Sequence, residues 1–165
     1  MTTMILIATT IAVGAVAGLA VRRWVAAPAR VESVSMGPTL RPGQRLVARP
    51  LRSIQGVARG DVVLVRSEEV GRVVVKRAIG LPGERVELDG KGRVCVDGQR
   101  LDEPYARRPT RPVIGPATYG VPEGSLFLLG DNRAASSDSS TWRQPYLRED
   151  ALVGRVVRLG RGRPR

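Results

Sequence analysis

The chain has 165 residues, 42% of them hydrophobic and 25% charged, with a formal net charge of +12. That is one domain's worth of sequence, long enough for its own core and a short appendage. Histidine is absent, which excludes Ser-His-Asp triads, Cys-His dyads and every zinc site that needs imidazole.

The first element in chain order is Met4–Val21, MILIATTIAVGAVAGLAV, eighteen residues without a charge, followed by Arg22-Arg23-Trp24. As a helix it would be roughly 27 Å long, near the ~30 Å hydrocarbon core of a bilayer, with arginines and an indole suited to the interface. A cleaved signal peptide would carry a basic residue before the apolar run, and none is present. A core helix is the third reading, weakened because the stretch is apolar all round, whereas a helix packed on a domain of this size keeps a polar face. The expectation is a membrane-spanning anchor over residues 1–23 and a linker over 24–30. The arginines follow the span, so charge alone would place the rest of the chain in the cytoplasm, although that rule weakens for long folded domains.

Residues 31–159 read as an all-β domain. Strands are expected at Gln44–Ala48, Val62–Arg66, Arg72–Ile79, Arg85–Leu88, Arg93–Val96, Ser125–Leu129 and Leu152–Leu159. Turn signals separate them (RPG, LPGE, DGKG, VDGQ and VPEG), and no amphipathic helix interrupts them. The pattern argues a sandwich or coiled barrel rather than a βαβ fold. The lone Cys95, in RVCVDG, reads as a small core residue. Residues 102–118, rich in Pro and Arg, read as a long surface excursion. The tail 160–165, GRGRPR, suits anionic lipid or the minor groove of DNA; scarce aromatics and the apolar span argue against nucleic acid.

Three stretches could carry chemistry. In VESVSMGPTL, Ser33 and Ser35 stand two residues apart, which in a strand places both hydroxyls on one face, before a Gly37-Pro38 break. Two buried hydroxyls are costly unless each finds a partner, and backbone acceptors at a strand end would be the ordinary solution. Without histidine, a nucleophilic serine needs another base; arginine stays charged, whereas a desolvated lysine serves. The chain has 25 arginines and two lysines, so a surviving lysine is informative. Lys91 sits in the turn DGKG, while Lys76 follows three valines in RVVVKRAIG and is placed for burial. Snorkelling to water from an edge strand is the alternative for Lys76. The third stretch, LFLLGDNRAASSDSSTW, runs from an apolar strand into Asp131, Asn132 and a serine-rich loop, readable as Asx-turns or as functional groups at a strand end.

SVSMGPTL, VVVKRAIGLPGERVEL and GDNRAASSDS, in that order behind an apolar segment and with VDGQRLDEPY between the last two, closely resemble the type I signal peptidases, membrane-anchored Ser-Lys peptidases. The resemblance runs from about Val31 to Arg158. It implies a mostly β, signal-peptidase-like coiled-sheet domain with one N-terminal transmembrane helix, its catalytic part on the extracytoplasmic side of the cell membrane. It further implies Ser35 as nucleophile and Lys76 as general base, with Ser33 and the Ser35 backbone N–H as the oxyanion hole. Ser136 would orient Lys76, and Asp131, Asn132 and Asp138 would brace the loop. The substrates would be exported preproteins cut after small residues, with membrane lipid as the other partner and no cofactor or metal. One departure stands out: Ser140 occupies the place where the family commonly has arginine, leaving Arg133 or Arg143 to pair with Asp138. Two further readings remain. One is a processing peptidase of the same family dedicated to a single client. The other is a membrane-tethered basic β module that binds nucleic acid or anionic lipid.

Overall fold

The computed structural model describes residues 27–109 and 115–159, and Gly14 before them. Most of the segment expected to span a membrane, and the tail 160–165, lie outside the described residues; among those described, no helix is long and apolar enough to cross a bilayer.

Eleven strands are described: β1 (Ala27–Arg30), β2 (Arg45–Pro50), β3 (Val62–Ser67), β4 (Arg72–Gly80), β5 (Arg85–Leu88), β6 (Val94–Val96), β7 (Gln99–Arg100), β8 (Ala117–Gly120), β9 (Ser125–Leu129), β10 (Tyr146–Arg148) and β11 (Leu152–Leu159). Short 3-10 turns occupy Ile54–Gly56 and Glu149–Ala151. One sheet has the order β1-β2-β11-β3-β4-β9-β10, and a smaller one β7-β6-β5-β8. Every pairing between these strands is antiparallel. All seven expected strands are present, with ends shifted by two residues at most.

Three apolar clusters hold the sheets. Alternation on β5 and β6 points Val86, Leu88, Val94 and Val96 inward, where they meet Ile79, Phe127 and Leu129 of the larger sheet. Gly80 lets the two sheets touch: a Cβ there would come within 2.9 Å of Val86, Val121 and Phe127 side chains at once. A second cluster places Val63, Val65, Ala78, Leu126 and Leu128 around Ile54 and Leu147. Each such aliphatic side chain withdrawn from water contributes roughly 1.5–3 kcal/mol before entropy is counted. The third cluster underlies the site.

Two expectations need correction. The stretch read as linker already forms strand β1 at Ala27–Arg30, paired with β2 from Ala27↔Ala48 to Arg30↔Arg45. Pro28 disguises it, but β1 is the outermost strand of its sheet, where a missing N–H breaks no ladder. The 102–118 excursion is not wholly at the surface: Glu103 is 2% exposed, and residues 117–118 open β8.

β4 carries the most consequential geometry. Its first residues are exposed and its last five, from Lys76 on, are buried. β3 pairs along its whole length, from Ser67↔Arg72 to Val62↔Arg77. On the other side, β9 begins only at Arg77↔Leu129. Residues 72–76 therefore have, among the described residues, no strand neighbour on that edge.

Candidate active site

The segment carrying Ser33 and Ser35 is anchored from below. Val31, Met36 and Leu40 pack with Leu46 in the third apolar cluster, each no more than 4% exposed. Backbone bonds then fold the chain: Val31 N–H to Gln44 O (2.9 Å), Gly37 N–H to Val34 O (3.0 Å) and Leu40 N–H to Met36 O (2.9 Å). The last two, i to i+3 and i to i+4 closures, are turns, so the two serines do not share a face of a strand. The pair of serines is nonetheless brought together. Ser35 is buried, Ser33 is exposed, and their Oγ atoms lie 3.1 Å apart.

Lys76 reaches the same place from β4. It is 3% exposed, and its ammonium donates to Ser136 Oγ at 3.0 Å. Burial pushes its pKa from 10.5 down to about 8, while the Asp138 and Asp131 carboxylates hold it from falling further. The snorkelling alternative is excluded by that burial. Ser33, Ser35 and Lys76 all line one open cavity of about 520 Å³, walled on one side by the Ser35 segment and on the other by the unpaired edge of β4. No hydrogen bond joins Lys76 to Ser35 directly; contacts of this kind commonly tighten only when substrate binds.

The stretch after β9 closes the site from the third side. Asn132 ties it to the Ser35 segment, its backbone N–H bonding Ser35 O at 2.9 Å and its side-chain amide bonding Val34 O at 3.3 Å. Gly130 permits this contact, since a Cβ would sit 2.6 Å from both Ser35 O and Ser136 Cβ. Asp138 accepts from neutral donors of the loop: Gly130 N–H (2.8 Å), Ser140 N–H (3.2 Å) and Ser140 Oγ (2.7 Å). Ser140, standing where arginine was expected, thus bonds the carboxylate itself. Neither proposed substitute does so: Arg133 pairs with Glu103 and with the Gly92 and Gly130 carbonyls, and Arg143 is exposed. Ser139, not singled out in the sequence, stitches the loop to β9 by bonding both the N–H and the C=O of Leu128.

The other residues missed by sequence reasoning form the support behind Lys76. Arg77 holds Asp131 bidentately, Nε to Oδ1 at 2.7 Å and Nη2 to Oδ2 at 2.6 Å, with Asp131 fully buried. Thr39 donates to the same carboxylate, Arg77 Nη1 bonds Gly60 O at 2.7 Å, and the Tyr105 ring lies 3.8 Å from the guanidinium carbon. One residue from each of the three motifs therefore meets at Asp131. Removing one partner of a buried ion pair strands the other, at a cost of about 3–5 kcal/mol. Asp131→Ala is accordingly expected to lower the urea midpoint of unfolding by that much stability, and Asp131→Asn, which keeps a hydrogen-bonding oxygen, by less.

Comparison with known proteins gives a consistent result. A family model described as "Signal peptidase, peptidase S26" matches residues 2–159. The chain is 36% identical over 157 residues to "Signal peptidase I" of Leptolyngbya laminosa, covering 90% of this chain and 75% of that one. It is 36% identical over 138 residues to "Signal peptidase I" of Bacillus licheniformis, covering 78% and 74%. Among solved structures, a signal peptidase I from Enterococcus faecalis V583 is similar at a TM-score of 0.52 and 30% identity, spanning 62% of this chain and 98% of that one.

Proposed function

We propose, from the premise that this chain belongs to the type I signal peptidases of family S26 and removes signal peptides from preproteins, that Ser35 is its nucleophile and Lys76 its general base. The observation carrying the assignment is the convergence of both residues on one cavity, with Lys76 buried and bonded to Ser136. A neutral lysine amine has two N–H groups and one lone pair. Giving one N–H to Ser136 restricts rotation about the terminal bond and leaves the lone pair free for Ser35 Oγ.

In the proposed cycle Ser35 Oγ attacks the scissile carbonyl carbon while its proton passes to Lys76 Nζ. The negative charge gathers on the former carbonyl oxygen, stabilised by the Ser33 hydroxyl and the Ser35 backbone N–H. Lys76 then protonates the departing amine, and the acyl-enzyme is hydrolysed by a water that Lys76 deprotonates. Ser33 Oγ bonds Ser35 Oγ before substrate arrives, so its oxyanion role requires that hydroxyl to turn once the serine attacks. Loss of one such donor costs about 10²–10³-fold in kcat. Ser33→Ala is expected to show that loss with KM little changed, as measured by steady-state cleavage of a synthetic preprotein.

An extended preprotein segment fits between the Ser35 segment and the unpaired edge of β4, where residues 72–76 offer backbone groups to an added strand. Small residues before the cut are the proposed preference. We further propose that residues 1–23 anchor the enzyme in the cell membrane, ahead of a peptidase domain on the extracytoplasmic side. The direct test is cleavage of an Ala-X-Ala preprotein by the detergent-purified full chain, with both new termini read by mass spectrometry. Cleavage after the second Ala supports the reading, and an intact preprotein with folded enzyme overturns it.

A further inference from the structure

The two walls of this groove are joined by a contact that the proposed chemistry does not use. Arg72, first residue of β4, donates from Nη1 to Glu32 Oε2 at 2.7 Å. Among the described residues it is the one ion pair linking the Ser35 segment to β4. Both partners line the cavity. Arg72 lies four residues before Lys76 on β4, which at ~3.3 Å per extended residue puts the pair roughly 13 Å along the groove from the reacting lysine. A strand laid between the walls must therefore meet it.

The pair has the properties of a contact made to open. Its side chains are 53% and 68% exposed, and a solvated pair of this kind adds at most about 1 kcal/mol to the fold. Neither residue belongs to the buried network around Asp131. Once a substrate strand displaces water from the groove, the separated charges act across a medium less screening than bulk solvent.

We propose that Glu32 and Arg72 form a charge-selecting strap across the substrate groove, parted by the entering preprotein, whose freed carboxylate and guanidinium read side-chain charge three or four residues from the scissile bond. The inference rests on the groove reading given above. In the wild type the two charges offset each other, so an acidic and a basic side chain at that position each find one partner and one repellent. Neutralising either member leaves a single sign behind: Glu32→Gln exposes Arg72 and favours acidic substrates, whereas Arg72→Gln exposes Glu32 and favours basic ones.

The experiment compares kcat/KM of the full detergent-solubilised chain on a neutral parent preprotein and on versions carrying Asp or Lys at the third or fourth residue on either side of the bond. The Asp-to-Lys ratio is expected to rise about 5–20-fold in Glu32→Gln and to fall by a similar factor in Arg72→Gln. The charge-swapped double variant Glu32→Arg/Arg72→Glu is expected to return the ratio towards the wild-type value. High salt should shrink every one of these differences, because the charges remain partly solvated. A purely structural surface pair would move stability slightly and leave the ratio alone. Unchanged ratios in both single variants, with the neutral parent still cleaved, overturn the strap by itself. Failure of the wild type to cleave the neutral parent overturns the groove reading, and the strap with it.

Discussion

Replacing Ser35 by alanine is expected to abolish preprotein cleavage, with a loss of order 10⁶-fold in kcat, the size seen when subtilisin loses its nucleophile. The fold should be almost unaffected. Among the described residues the one side-chain hydrogen bond of Ser35 is to Ser33, and Ser33 is exposed, so water replaces the missing partner. A lost bond of that kind costs about 0.5–1.5 kcal/mol at most. Met36, Val31 and Leu40, which seat the segment, are untouched. The measurement is cleavage alongside thermal unfolding of the same preparation. Retained cleavage by a folded Ser35→Ala enzyme sinks the assignment, and joint loss of activity and folding would show that Ser35 is a structural residue instead.

The second large effect concerns Lys76. A base must be neutral to accept the Ser35 proton, and burial brings its pKa to about 8. The plot of kcat/KM against pH is therefore expected to climb about tenfold per unit below 8 and to level off above it, since kcat/KM reports the free enzyme. Lys76→Arg retains a cation of similar reach but never offers a lone pair near neutral pH, so it should be as inactive as Lys76→Ala. An active arginine variant, or a pH limb that survives removal of Lys76, rules out the general-base role. Stability supplies an independent reading of the same pKa. The folded protein holds Lys76 at about 8 and the unfolded chain near 10.5, so the unfolded state binds more protons between those values. Below pH 8 the full penalty of burying the ammonium is present, about 3 kcal/mol at 1.36 kcal/mol per unit. It is relieved as pH rises from 8 towards 10.5. The wild type should therefore gain stability across that window relative to Lys76→Met, by denaturant unfolding at each pH.

Much of this was legible without coordinates where a residue's meaning is local. The valine-rich run before Lys76, the alternation of Arg85–Leu88 and the apolar Ser125–Leu129 each announce a strand, because burial on a pleated surface imposes its own pattern. Strand β1 is hidden in the sequence, since Pro28 suits a strand only at an edge, and edge position is a property of the whole sheet. The short strands β7, β8 and β10 were missed for a related reason: two to four residues hold too few periods to show alternation. Glu103 was placed on the surface by composition, whereas an ion pair with Arg133 carries it inside.

By itself the sequence determined the chemistry available. With histidine absent, arginine permanently charged and one lysine set in an apolar strand, the sequence put Lys76 forward as the base that a serine nucleophile would use. Tertiary structure alone decided the partners. Arg77 reaches Asp131 across 54 positions, Thr39 reaches it across 92, and Lys76 reaches Ser136 across 60. Periodicity records which face of an element is buried, but not which distant segment it is buried against. In a chain with 25 arginines, one bidentate arginine looks like all the others until the fold places a carboxylate in front of it.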